Sequence, residues 1–225
     1  MSKEPLKYRA YQAIKDNIIN CTYPPGTIIN EELIREEIGA SRTPIRDALS
    51  RLEQEGLVKI LPKKGIIISN MTVKELNMLY ESRLLLEPYV VKNYGSRIPQ
   101  ETYLQYYRMY QDFLEQNKKE YSYAEMDDSF HQLFINASEN SYFLNLYSTI
   151  ESQIRRTRMI SGKISSSRLQ ATIDEHLSIV ESALKNDWES ASAAMKNHLI
   201  ISKNIMFDYI LKKQNITPVT DRMDG

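Results

Sequence analysis

The 225-residue chain has only three histidines, and all of them fall in its second half. His131 stands four residues after Asp127 in MDDSFHQLF, so on a helix a carboxylate and an imidazole share one face, one turn apart. His176 lies within TIDEHLSIVESAL and His198 within SAAMKNHLIISKN. Three imidazoles and one carboxylate drawn from three helices of a bundle suit a divalent metal, with one or two positions left for water or a ligand. Each element alone is weak. A mid-helix histidine is more often a satisfied polar residue, and Asp174 or Glu175 could simply pair with His176. The lack of any other histidine in the sequence strengthens the set.

A second constellation is cationic. Arg42 and Arg46 in SRTPIRDAL are four apart and share one helical face, opposite Ile45, Leu49 and Leu52. They stand at a helix N-terminus, the end that a recognition helix places in the DNA major groove. Their planar forks fit guanine O6 and N7, while Ser41, Thr43 and the first-turn N–H groups suit phosphate oxygens. Solvation of an exposed face would explain two arginines by themselves. A capping Ser41, the early Pro44, the paired arginines and a basic hairpin tip at Lys63-Lys64-Gly65 together point to double-stranded DNA.

The elements that position these residues read as mainly α. Residues 6–20 form a helical stripe through Leu6, Ala10, Ala13, Ile14 and Ile18, ended by Tyr23-Pro24-Pro25-Gly26. Asn30 caps a short helix over Glu31–Ile38, stopped by Gly39, and Ser41 caps another that runs to about Glu55. Leu57–Leu61 and Ile66–Ser69 flank the Pro62–Gly65 turn as a hairpin. Residues 1–70 thus read as a winged helix-turn-helix with a small β-hairpin wing. Thr72-Val73-Lys74-Glu75 fits a capping box at the head of residues 71–225, an all-α bundle of six helices near 72–94, 100–117, 120–137, 141–161, 167–185 and 188–212. The polar tail from Gln214 reads as frayed.

Composition sets bounds. Twenty-nine basic residues balance 29 acidic ones, which excludes a generally basic nucleic-acid coat but not a local basic face. Residues 1–70 hold 11 Lys+Arg and 9 Asp+Glu, so the expectation is a patch. One cysteine, Cys21, cannot form an internal disulfide, and neither a membrane span nor a signal peptide is legible, so a cytoplasmic location is expected. Seven glycines leave no phosphate-cradling loop. Fifteen tyrosines, among them Tyr106, Tyr107 and Tyr110, read as core or interface, and Trp188 as a packing anchor.

The run PPGTIINEELIREEIGASRTPIRDALSRLEQEGLVKILPKKGIII resembles the winged-helix domain of GntR-family bacterial transcription regulators. That resemblance implies DNA contacts by Ser41, Arg42, Thr43 and Arg46, with the wing at Lys63, Lys64 and Gly65. Some relatives carry a further arginine where this chain has Glu32. ESRLLLEP, DDSFHQLFINASEN, DEHLSIVESALKND and AMKNHL are similar to the FCD ligand-sensing domain of the FadR-type branch. Its metal-binding subset uses an Asp and a His one turn apart plus two later histidines, which map onto Asp127, His131, His176 and His198. Six helices in that domain point to the VanR-like subgroup. Relatives hold a small carboxylate metabolite at the metal. Arg83 is the candidate contact for that carboxylate, although Glu87 is an alternative partner on the same helix, and Tyr80 one turn earlier could line the same pocket.

The resemblance therefore implies a homodimeric, metabolite-responsive regulator, a repressor rather than an enzyme, acting on a palindromic operator. The metal expected is zinc, with nickel or manganese also compatible with the ligand set. Two other readings remain open at this point: a regulator for which the metal itself is the signal, and a metal-dependent hydrolase.

Overall fold

The computed structural model describes residues 5–116, 123–161 and 166–215. The chain falls into two compact units, Met1–Met71 with Ser152–Gly162, and Thr72–Glu151 with Lys163–Gly225.

The first unit opens with α1 (Leu6–Ile19). Ala10, Ile14 and Ile18 of the expected stripe are buried, Tyr11 joins them, and Leu6 stays exposed. α2 (Glu31–Ile38) is capped by Asn30, whose side chain accepts from the Glu32 N–H, and it stops at left-handed Gly39. α3 (Arg42–Gln54) buries Ile45, Ala48, Leu49 and Leu52 against α1. Ser41 occupies the N-cap position of α3 with extended backbone, but its hydroxyl makes no capping hydrogen bond, contrary to expectation.

The wing strands are β2 (Val58–Leu61) and β3 (Gly65–Ile68), antiparallel with Val58 opposite Ile68. A further strand, β1 (Ile28–Ile29), pairs with β3 on its other edge to give the order β1-β3-β2. Two residues are too few to show a period of two, so β1 was invisible to pattern reading. Its presence explains Gly65. There φ is +108°, and a Cβ would lie 2.8 Å from the Ile29 carbonyl oxygen. Also in this unit, Arg156 is buried and donates to the Ser69 carbonyl.

The second unit is helical. α4 (Val73–Tyr94) starts with the expected reciprocal box, in which Thr72 Oγ1 accepts from Glu75 N and the Glu75 carboxylate accepts from Thr72 N. A 3-10 turn, Gly95–Arg97, follows. Then come α5 (Gln100–Gln116), α6 (Tyr123–Ala137), α7 (Ser141–Ser161), whose last turns group with the first unit, α8 (Ser166–Leu184) and α9 (Trp188–Asn215). α4 packs chiefly on α9, with α8 lying against both α9 and α5 and α6 against α4. Trp188 anchors the junction as expected, since a Cβ at Gly95 would lie 2.6 Å from its ring. The segment expected to start α6 at residue 120 and the polar tail beyond Asn215 lie outside the described residues.

Candidate metal centre and nucleic-acid interface

Asp127 and His131 project from one face of α6, His176 from α8 and His198 from α9. Each offers a ligand atom, and the four atoms lie within 4.8 Å of one another. All four residues are buried, His176 completely. Asp127 Oδ1 is 3.5 Å from His176 Nε2 and 3.9 Å from His131 Nε2, and the His176 and His198 rings are 4.5 Å apart between centroids. Phe130 and Tyr110 close the apolar side, with their ring centroids 4.9 and 5.4 Å from His176. Tyr110 is thus core, as its spacing predicted.

Two carboxylates orient the rings. Glu87 Oε2 on α4 lies 2.5 Å from His131 Nδ1, and Glu175 Oε2 on α8 lies 2.7 Å from His198 Nδ1. A proton on each Nδ1 leaves the Nε2 lone pair as the ligating one. Each carboxylate is held in turn by an arginine: Arg83 Nε donates to Glu87 at 2.5 Å, and Arg168 Nη1 donates to Glu175 at 2.6 Å. Glu175 therefore serves His198 and not His176. Glu87 thus serves His131 as well as Arg83, and Arg168 is a partner that no sequence pattern singles out. Tyr123 completes the ring of partners by donating to Asp127 Oδ1 at 3.0 Å.

The electrostatics follow from burial. Burial, then the neighbouring His198, pulls the His176 imidazole well below its ordinary range. His198 is lowered too, chiefly by burial and against the pull of Glu175. Neutral imidazoles are the form that ligates a metal. Burial pushes the Glu87 carboxyl up, but the Arg83 guanidinium and then His131 outweigh it and hold it at about 2. Burial likewise raises Glu175, and His198 and Arg168 bring it below its usual value.

The donor set fits a divalent ion by a separate test. His131 Nε2 and both ring nitrogens of His176 are buried without a hydrogen-bond partner. Orphaning a buried polar group costs about 1–3 kcal/mol, so a cluster of such atoms facing one carboxylate is explained by a ligand that satisfies them together.

Arg83 and Tyr80 lie beside this cluster. Arg83 is 3% exposed, paired with Glu87 as the alternative reading had it, and its Nη2 stands 3.5 Å from His131 Nδ1. Tyr80 is buried, its hydroxyl 2.7 Å from Ser202 Oγ, and its ring centroid is 5.4 Å from the Arg83 guanidinium carbon.

The second candidate site has the opposite character. Ser41, Arg42, Thr43 and Arg46 are all exposed at the N-terminal end of α3, and Lys63 and Lys64 are exposed on the turn that Gly65 closes. Pattern reading missed Glu31 on α2. Its Oε2 lies 3.2 Å from Arg46 Nε and its Oε1 3.8 Å from Arg42 Nε. Glu32 pairs with Arg35 at 2.7 Å.

Residues 6–68 match the bacterial regulatory proteins of the gntR family, and residues 78–200 match the FCD domain. The Nta operon transcriptional regulator of Aminobacter aminovorans is 32% identical over 84% of this chain and 87% of its own length. The HTH-type transcriptional repressor RspR of Escherichia coli (strain K12) is 25% identical over 87% of this chain and 86% of its own. Among solved structures, the Zn2+-bound FCD domain of TM0439 shares the fold of the helical unit, with a TM-score of 0.51 and 22% identity, covering 65% of this chain and 99% of its own. The matched families and relatives are transcriptional regulators, not enzymes. None of the described helices is long and apolar enough to cross a membrane.

Proposed function

The chain belongs to the GntR family of bacterial regulatory proteins in its FCD-bearing, FadR-type form, and from that premise we propose that it is a metal-dependent, metabolite-responsive repressor. Residues 1–70 form the DNA-reading domain and residues 71–225 the sensing and dimerising domain. Asp127, His131, His176 and His198 hold one divalent ion, with zinc favoured because the fold neighbour of the helical unit was solved with Zn2+. The observation that carries this reading is the convergence of four buried ligand atoms, with orphaned imidazole nitrogens among them. A bound ion supplies an electron-pair acceptor there. Glu87 and Glu175 fix the imidazole tautomers, and Phe130 and Tyr110 keep the apolar side dry. Six α-helices among the described residues between 73 and 215 support the VanR-like subgroup.

Arg83 is the proposed contact for a small carboxylate effector. Glu87 engages its Nε and Nη2, which leaves Nη1 for a charge-assisted bond, and Tyr80 lines the approach. Effector binding needs to change operator affinity by about five- to 150-fold, a coupling of about 1–3 kcal/mol. A homodimer is supported by an apolar face on α4 and α7. Leu85 is 74% and Tyr142 83% exposed, Met78, Tyr89 and Leu146 flank them, and a Tyr89–Phe143 ring contact joins the two helices. A cytoplasmic location and a palindromic operator complete the proposal.

Elemental analysis of purified protein tests the centre. Close to one divalent ion per chain is expected, falling to background in His176→Ala. Equal metal content in the two proteins would overturn the assignment. Operator release by a carboxylate metabolite at constant metal occupancy favours the effector reading, and release that tracks metal alone favours a metal sensor.

A further inference from the structure

The two arginines expected to read DNA share one counter-ion. Glu31 stands at the first position of α2, separated in sequence from the N-terminus of α3 by the length of α2 and a short link, with its side chain one quarter exposed. Arg42 and Arg46 are about two-thirds exposed, so solvent access would allow each to sample many rotamers. The Glu31 carboxylate meets both, and it meets each at Nε: Oε2 accepts from Arg46 at 3.2 Å, and Oε1 faces Arg42 at 3.8 Å. This choice of atom matters. A guanidinium held by Nε keeps its two terminal amino groups for the paired bond to guanine O6 and N7. A carboxylate that gripped those terminal groups would compete with the base.

A second observation concerns Oε1. It is buried and has no hydrogen-bond partner, since 3.8 Å is beyond hydrogen-bonding range. A modest inward swing of Arg42 would satisfy it. The carboxylate is therefore half engaged in the DNA-free protein and has one acceptor waiting for the second arginine.

On these grounds we infer that Glu31 is a positioning residue for sequence readout: one carboxylate that clamps the Nε edges of Arg42 and Arg46 and presents both forks to adjacent guanines. The inference rests on the DNA-reading function proposed above. It carries a counter-intuitive sign. Glu31 is an anion facing a polyanion, so its removal strengthens non-specific binding through the phosphates. Removal nevertheless weakens discrimination, because both forks lose their orientation.

The test uses the full-length protein and a duplex that the wild type has selected from a random-sequence pool, with a scrambled duplex as reference. Glu31→Gln is expected to lower the selected-to-scrambled affinity ratio about 10-fold or more, the size of losing one well-made bidentate contact, while scrambled-duplex binding stays level or tightens. Glu31→Asp keeps the charge but shortens the reach by one methylene, so it should lose discrimination like Gln. Thermal melting checks that both variants fold. If selected and scrambled affinities change by the same factor, or Asp behaves as wild type, Glu31 is only a local charge and the inference falls. A wild-type protein that selects no duplex overturns the DNA reading itself.

Discussion

The two candidate sites use the same kinds of side chain under opposite conditions. At the head of α3, Arg42 and Arg46 stand in solvent with one shared glutamate. In the helical unit, Arg83 is 3% exposed, locked to Glu87, which is locked in turn to His131. A solvated arginine can hold its charge without a partner and wait for one from outside. A buried arginine cannot, because an uncompensated interior charge is costly. The reading surface is therefore open to a partner, and the metal centre pairs most of its charged groups with one another while imidazole nitrogens of His131 and His176 stay without a partner.

That contrast breaks most visibly if Glu87 is removed. Glu87→Ala leaves Arg83 buried without its carboxylate and frees the His131 ring, and should destabilise the metal-free protein by about 3–5 kcal/mol. Denaturant unfolding measures it. Arg42→Ala, an exposed change, should lie within about 0.5 kcal/mol of wild type in the same assay. Similar costs for the two would mean that burial does not separate the sites. With metal present, Glu87→Gln should weaken metal affinity about 10–100-fold through loss of the fixed tautomer.

Acid should distinguish the sites as well. His176 and His198 have folded values below the ordinary 6.5, chiefly through burial. Their unfolded forms take up protons near that value while the folded forms do not. Stability is therefore full above about pH 6.5 and falls as pH drops below it, by up to about 1.4 kcal/mol per pH unit for each histidine. Glu87, held at about 2 against an unfolded 4.5, adds a further loss below pH 4.5. Melting of the metal-free protein between pH 8 and 5 should follow this course. A flat profile would place the imidazoles in contact with water.

The same contrast explains what the sequence could reveal. Helix boundaries were legible because caps and stops are local: Asn30, Gly39 and the Thr72–Glu75 box behave as their types dictate. The four candidate ligands were legible through their residue types and family resemblance. The roles of Glu87, Glu175 and Arg168 behind those ligands were not, since an acidic or basic residue on a helix looks the same whether it faces water or a buried ring. β1 escaped for a related reason. Its two isoleucines gain meaning only from pairing with Ile66 and Ile67, far along the chain.

On the reading surface, Arg42→Ala should weaken operator binding by about 1–3 kcal/mol and relax the preference at one base position. Binding of selected duplexes with single substitutions measures both. An unchanged preference at every position would remove Arg42 from the recognition set and leave the exposed face as mere solvation.

The smallest effect is expected at the wing, and it sharpens the comparison inside the reading unit itself. Lys63 and Lys64 are exposed on the turn between β2 and β3, where Lys63 adopts a φ of 63°. An ammonium there is a compact charge on a flexible stem, suited to a phosphate and not to the edge of a base. Loss of one phosphate contact lowers the slope of log affinity against log salt by about 0.9 and weakens all sequences alike. Lys64→Ala should therefore bind selected and scrambled duplexes less tightly by the same few-fold factor, with the deficit shrinking as salt rises. Glycine is absent at position 63 although the backbone there is left-handed, so alanine at position 64 is the cleaner change, free of backbone strain. If the Lys64 variant instead loses discrimination between duplexes, the wing reads bases and the division of labour between α3 and the hairpin is wrong.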